Sequence, residues 1–160
     1  MKTTHHQQRI SGYLKHPFDQ THLLSPEQTA MVRIRGQDLS KFVEIKRTVP
    51  FEKIGRLGTS RLLRTIEDEN RQGWFLFVNE SVKSGCYRLD SLDDINWLFD
   101  FDFDHAGVLS IKSGSKAFVI LIDYGDEGYG READISVRIN LESGLSDKDR
   151  LEIFRALTEL

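Results

Sequence analysis

The sequence is short of what covalent scaffolds, membrane spans and common active sites are built from. Cys86 is the single cysteine of 160 residues. That excludes an internal disulfide and a cysteine-rich zinc site, and it fits a reducing cytoplasm. The longest stretches of large apolar residues, such as Phe118–Ile122, are far below the roughly 20 residues of a membrane helix. Met1–Gln8 is polar and His-rich, with no apolar signal core behind it, so the expected location is the cytoplasm. No G-x-S-x-G, H-E-x-x-H or kinase-type set occurs, and there is no internal repeat or low-complexity stretch.

What is present is a globular composition, 39% hydrophobic and 29% charged, with too many aromatics for a disordered chain. The size suits one core. The net charge of −3 hides an asymmetry. Residues 1–66 carry 12 Lys/Arg against 5 Asp/Glu, and residues 67–160 carry 10 against 20. Either the halves meet charged partners, or they face and neutralise each other.

The organisation reads as a loosely ordered segment 1–24 followed by a single domain over 25–160. Ser25-Pro26-Glu27 has the form of a helix cap, starting a short helix that ends near Met31. The alternation of Met31–Arg35 suggests a short strand stopped by Gly36. Phe42–Val49 reads as a strand ending at Pro50. Thr59-Ser60 caps a helix reaching about Asn70, with Leu62, Leu63 and Ile66 on one face. Strands are expected at 74–78 and 85–89, and a short helix from Ser91 to about Leu98. A hairpin joins 108–111 to 117–122 across Ser113-Gly114-Ser115, and a further strand covers 135–139. Ser146 opens a C-terminal helix with Leu151, Phe154, Leu157 and Leu160 as its apolar face. Consecutive strands without alternating long helices predict an α+β fold. Its sheet is mostly antiparallel, built from a meander of hairpins, with the mid-chain and C-terminal helices packed on one face.

Three stretches could carry function. In Phe99–His105 three Phe alternate with Asp100, Asp102 and Asp104; an extended strand would present the carboxylates as a ladder on one face. An EF-hand match fails at its sixth position, where His105 replaces Gly, and at its twelfth, where Ile111 stands. The ladder could be a docking surface, a metal site for a hydrolase, or a solvated edge. The loop from Asp123 to Glu132 adds Tyr124, Asp126, Glu127 and Tyr129, acids around aromatic anchors; its Gly128-Tyr129-Gly130 is no phosphate loop, because a strand follows. Residues 46–64 hold Lys46, Arg47, Lys53, Arg56, Arg61 and Arg64 against one acid, Glu52. With Thr59, Ser60 and a helix N-terminus, this stretch could hold a phosphate or nucleic acid, although no P-loop pattern is present. His5, His6, His16 and His22 follow no zinc spacing, and Cys86 reads as a buried thiol.

In size, charge and lack of an active-site signature the chain resembles the small bacterial immunity proteins that neutralise toxins, a likeness of character carried by no motif. The resemblance implies a non-enzymatic protein with no cofactor and no metal. Its partner would be a basic protein, for instance a nuclease toxin, held by Asp100, Asp102, Asp104, Asp123, Asp126 and Glu127 with Tyr124 and Tyr129. The alternatives are an anion- or nucleic-acid-binding regulator using Lys53, Arg56, Thr59, Ser60, Arg61 and Arg64, and a metal-dependent hydrolase on the acidic ladder.

Overall fold

A computed structural model describes residues 5–34, 36–69, 72–79, 81–97, 108–124 and 132–160. The helices among them are α1 (His5–Gly12), α2 (Pro26–Val32), α3 (Phe51–Gly55), α4 (Arg61–Glu69), α5 (Ser81–Ser84) and α6 (Asp147–Thr158). The strands are β1 (Phe42–Pro50), β2 (Trp74–Phe77), β3 (Tyr87–Leu89), β4 (Val108–Ser113), β5 (Phe118–Asp123) and β6 (Glu132–Asn140). They form one antiparallel sheet in the order β1-β6-β5-β4-β2-β3. This is the α+β class expected from consecutive strands.

Alternation sorts the strand side chains onto two faces. On the first lie Leu109 and Ile111 of β4, Ile120 and Ile122 of β5, and Ile135, Val137 and Ile139 of β6, all fully buried. Ile10 of α1, Ile54 of α3, Leu62, Leu63 and Ile66 of α4, and Ile153 and Leu157 of α6 pack into the same core. Each such side chain contributes about 1.5–3 kcal/mol on burial. The β4–β5 turn is set by Ser113, whose hydroxyl accepts the Phe118 N–H at 2.9 Å.

Several expectations give way to tertiary contacts. The segment before residue 25 is not loose over residues 5–24. Ile10 and Tyr13 are fully buried, Leu14 bridges to Ile95, and Leu23 bridges to Tyr87 of β3. Gly85 permits that crossing. It sits at φ +101°, and a Cβ there would come within 2.1 Å of the Leu24 carbonyl oxygen.

Of the strand expected at Met31–Arg35, the described residues 31–34 form none. The Ser25 hydroxyl and the Gln28 side chain form a reciprocal capping box, and α2 runs on to Val32. Between Ser91 and Leu98 the described residues hold only a 3₁₀ turn, Leu92–Asp94. Its first N–H donates to the Glu67 carboxylate of α4 at 3.1 Å.

In α6 the inward face is Ile153, Ala156 and Leu157, with Leu160 partly buried beside them, while Leu151 and Phe154 are 47% and 46% exposed. Both sets have helical spacing. Packing against α4 and β1 selects the first.

The two oppositely charged halves of the sequence do meet. β1 pairs along its whole length with β6, and Lys46 bonds Asp134 at 3.4 Å. Lys41–Glu142 and Arg61–Glu159, each 3.4 Å, also join the basic half to the acidic half. Arg47, on the inward side of β1, donates to the carbonyls of Leu157 and Thr158. There a cation complements the C-terminal end of the α6 dipole.

Candidate functional site

Asp100, Asp102, Asp104, Asp126, Glu127 and Tyr129 lie outside the described residues. Asp123 is exposed at the end of β5, opposite Asp134 in register. Tyr124 is not a surface anchor: it is 4% exposed and its hydroxyl donates to the Trp97 carbonyl at 2.7 Å. A ring fixed in this way packs the core and cannot lie against a partner.

Five of the six residues expected to bind an anion do come together. Lys53, Arg56, Thr59, Ser60 and Arg61 line a cavity of about 240 Å³ with Ala156, Glu159 and Leu160. Their donors are largely engaged within the fold. The Ser60 hydroxyl donates to the Leu57 carbonyl at 2.6 Å and accepts the Leu63 N–H at 3.3 Å, capping α4. The Thr59 hydroxyl donates to the Arg56 carbonyl. Arg61 pairs with Glu159, so a carboxylate already lies in the lining. Arg64 leaves the group: it lines another cavity with Glu67, Asp68, Ser91 and Asp93. The remaining cations, Lys53 and Arg56, are exposed, where water and salt screen them.

The second face of the sheet carries a different arrangement. Its cross-strand rows are Glu44–Arg138–Val119–Lys112–Phe75 and Lys46–Ser136–Leu121–Ser110–Phe77. α2 and α5 pack on one another at the border of this face. Between them and the strands runs a groove of about 320 Å³. Val119, Leu121, Phe77 and Val108 form its apolar part, with Ile34, Leu39 and Val82 as walls. Arg33, Lys112 and Arg138 also line it, and among the described residues no carboxylate does.

Each cation is placed by a different element. Arg33 follows the last turn of α2, where its N–H donates to the Thr29 carbonyl. Lys112 points outward from β4 and lays its amine 4.1 Å over the Phe77 ring, a favourable cation–π contact. Arg138 stands on β6, held by Glu44 of β1 at 3.4 Å. The Glu44 carboxylate also accepts the Ser136 hydroxyl at 2.7 Å. That bond first, and the Arg138 charge after it, hold Glu44 below its ordinary range.

The Lys112 amine is shifted strongly. Burial, then the neighbouring Arg33 charge and to a smaller extent Arg138, depress it from 10.5 to about 8. Cys86 acts in the opposite sense. The amine is thus charged at neutral pH in surroundings that penalise charge. An incoming anion relieves that penalty, and in a partly dehydrated groove the attraction is stronger than at an open surface.

Comparison of the chain with protein-family models, with curated proteins and with solved structures found no match.

The remaining candidates have structural roles. His6 is buried, its Nε2 2.8 Å from the Gly85 carbonyl oxygen. His16 and His22 lie against the Tyr87 ring, and His22 Nδ1 is 3.0 Å from the Arg88 carbonyl oxygen. They fasten the N-terminal segment to β3. The Cys86 thiol is buried beside the Thr29 hydroxyl, and burial raises its pKa, away from nucleophilic use. Among the described residues no group of three or more His, Cys, Asp or Glu is placed to hold a metal ion. No helix among them is long and apolar enough to cross a membrane.

The groove was missed because no window of sequence contains it. Its cations are 33, 112 and 138. A partial signal did exist: the outward positions of β4, β5 and β6 mix Lys112 and Arg138 with Val119 and Leu121. Apolar outward positions in central strands mark a second face that is partly covered.

Proposed function

We propose that the protein works by binding and not by catalysis, and that its ligand is an anionic group with an apolar body, taken up on the second face of the sheet. One observation carries this reading: Arg33, Lys112 and Arg138 converge on an apolar-floored groove whose described lining holds no carboxylate. Holding Lys112 there disfavours its charged form, a local cost that a binding role explains. Strained or desolvated charges concentrate at functional sites.

A second reading keeps the charge sense of the immunity-protein likeness, with a basic protein such as a toxin as partner. It is favoured by the acidic balance of residues 67–160 and by exposed Asp123 on the Asp134 row.

Affinity capture at low and moderate salt, with the wild-type chain and Lys112→Glu in parallel, separates the two. The first reading expects an anionic molecule that the wild type retains, and that both the variant and added salt release. A basic protein retained equally by wild type and variant would replace it with the second.

A further inference from the structure

We infer that the groove's occupant is an acidic segment of another protein chain, carrying a large apolar side chain flanked by carboxylates. This rests on the groove being the anion-binding site, and specifies what fills it.

The spacing comes from the sheet. Lys112 on β4 and Arg138 on β6 are two strands apart, about 10 Å across the ladder, and Val119 of β5 lies between them in the same row. A matching ligand has negative groups about that far apart with an apolar group between. An extended peptide supplies this when Glu, Leu and Glu occupy every second residue, because side chains two apart share a face at about 7 Å spacing and the long Lys and Arg stems can reach outward to the flanking carboxylates.

The walls favour a chain over a small molecule. Leu39, Val82 and Val108 stand at the groove with 36–48% of their surface in water. They are three of the eight large apolar residues exposed among the described residues. A small ligand in the groove would leave that rim wet, whereas a protein partner covers it. The groove also continues. Arg33 and Ile34 line both it and a neighbouring cavity of about 220 Å³ that holds Asp38, Lys41, Lys116 and Glu142. Lys41 is paired with Glu142 there, so among the described lining residues Arg33 and Lys116 stand against one further carboxylate, Asp38. A track of two adjoining cavities with excess positive charge fits an extended acidic segment.

The test uses the full chain and a fluorescein-labelled short peptide of the pattern Glu-Ser-Leu-Ser-Glu, which places Glu, Leu and Glu on one face when extended. Its Gln counterpart, its Lys counterpart and dodecanoate serve as further probes. Fluorescence anisotropy is read at low and moderate salt. The Glu peptide should bind at least about tenfold tighter than the Gln peptide, and the Lys peptide should not bind. Arg33→Glu and Lys112→Glu should each weaken the Glu peptide about tenfold or more. Arg33 is exposed, so its variant keeps the fold even where Lys112→Glu fails to.

Equal binding of the Glu and Gln peptides overturns the inference, as does loss of binding on Lys53→Glu with Arg56→Glu instead. If dodecanoate binds in an Arg33- and Lys112-dependent manner and the Glu peptide does not, the occupant is wrong and the anion site stands. If no probe depends on Arg33 or Lys112, both fail.

Discussion

Two clusters of cations stand out among the described residues, and they differ in how they were assembled. At the α3–α4 junction, Lys53, Arg56 and Arg61 are near neighbours in sequence, largely exposed, and share their cavity with Glu159. On the second sheet face, Arg33, Lys112 and Arg138 come from three distant parts of the chain. They share theirs with Val119, Leu121 and Phe77. The first cluster is denser in sequence and weaker in effect. Its charges sit in water, and its hydroxyls hold the backbone turn that begins α4. The second is sparse in sequence, yet burial and mutual repulsion pull the Lys112 amine down to about 8. Charge density along a chain is thus a poor guide to an electrostatic site; desolvation and convergence decide.

If the junction is a frame and not a site, its apolar residues should matter and its cations should not. Leu57→Ala, at a fully buried position, should cost about 2–4 kcal/mol in urea denaturation. Lys53→Ala and Arg56→Ala should each stay within about 0.5 kcal/mol. A large loss from either cation would break the comparison.

The groove should show the opposite behaviour. Lys112→Met removes a charge the fold holds against its preference, so below pH 8 the variant should be more stable by about 1–2 kcal/mol, allowing for partial exposure. The amine titrates at 10.5 in its ordinary state and at about 8 in the fold. Between those values the unfolded chain binds more protons than the folded one, and stability attributable to this group rises with pH. The advantage of Lys112→Met should therefore shrink from pH 8 upward and vanish by about pH 10.5. Chemical denaturation of both proteins across this range is the check. A constant difference would place the amine in water.

A smaller effect tests the support behind Arg138. Ser136→Ala takes away the first cause of the lowered Glu44 value, so the carboxyl should titrate closer to its ordinary 4.5, as read by NMR. The lowered value stabilises the fold above that range and is lost as pH falls through it. Wild type should exceed the variant by less than about 1 kcal/mol at pH 7, because Glu44 is exposed, and the gap should narrow in acid.

The smallest change expected is at the junction. Arg61→Gln breaks the exposed pair with Glu159 and should alter stability by less than about 0.5 kcal/mol, with no effect on binding at the groove. Loss of groove binding in this variant would show the two clusters are coupled.

Much of the frame can be read locally. Ser25 and Ser146 are followed by helices whose first turns they cap. The β-branched run 42–49 is β1, and the segments either side of Ser113-Gly114-Ser115 form the β4–β5 hairpin. These succeed because a cap, a turn and an alternating strand are satisfied by atoms within a few residues. The candidate site fared worse. Tyr124 reads as part of an exposed loop, but it continues the inward series of Ile120 and Ile122, and its hydroxyl donates to the Trp97 carbonyl. Leu151 and Phe154 have helical spacing, but α4 lies on the other side of α6.

The sequence by itself determined the class of fold, the principal strands, the caps of α2, α4 and α6, and the split between a basic and an acidic half. Only the tertiary structure decided that β1 lies against β6, so that the halves partly neutralise each other. It decided too that residues 33, 112 and 138 share one groove, and which face of α6 is buried. Local signals are enforced by short-range hydrogen bonds and steric limits. The decisions among distant residues depend on which apolar surfaces close on each other, and so on the whole chain at once.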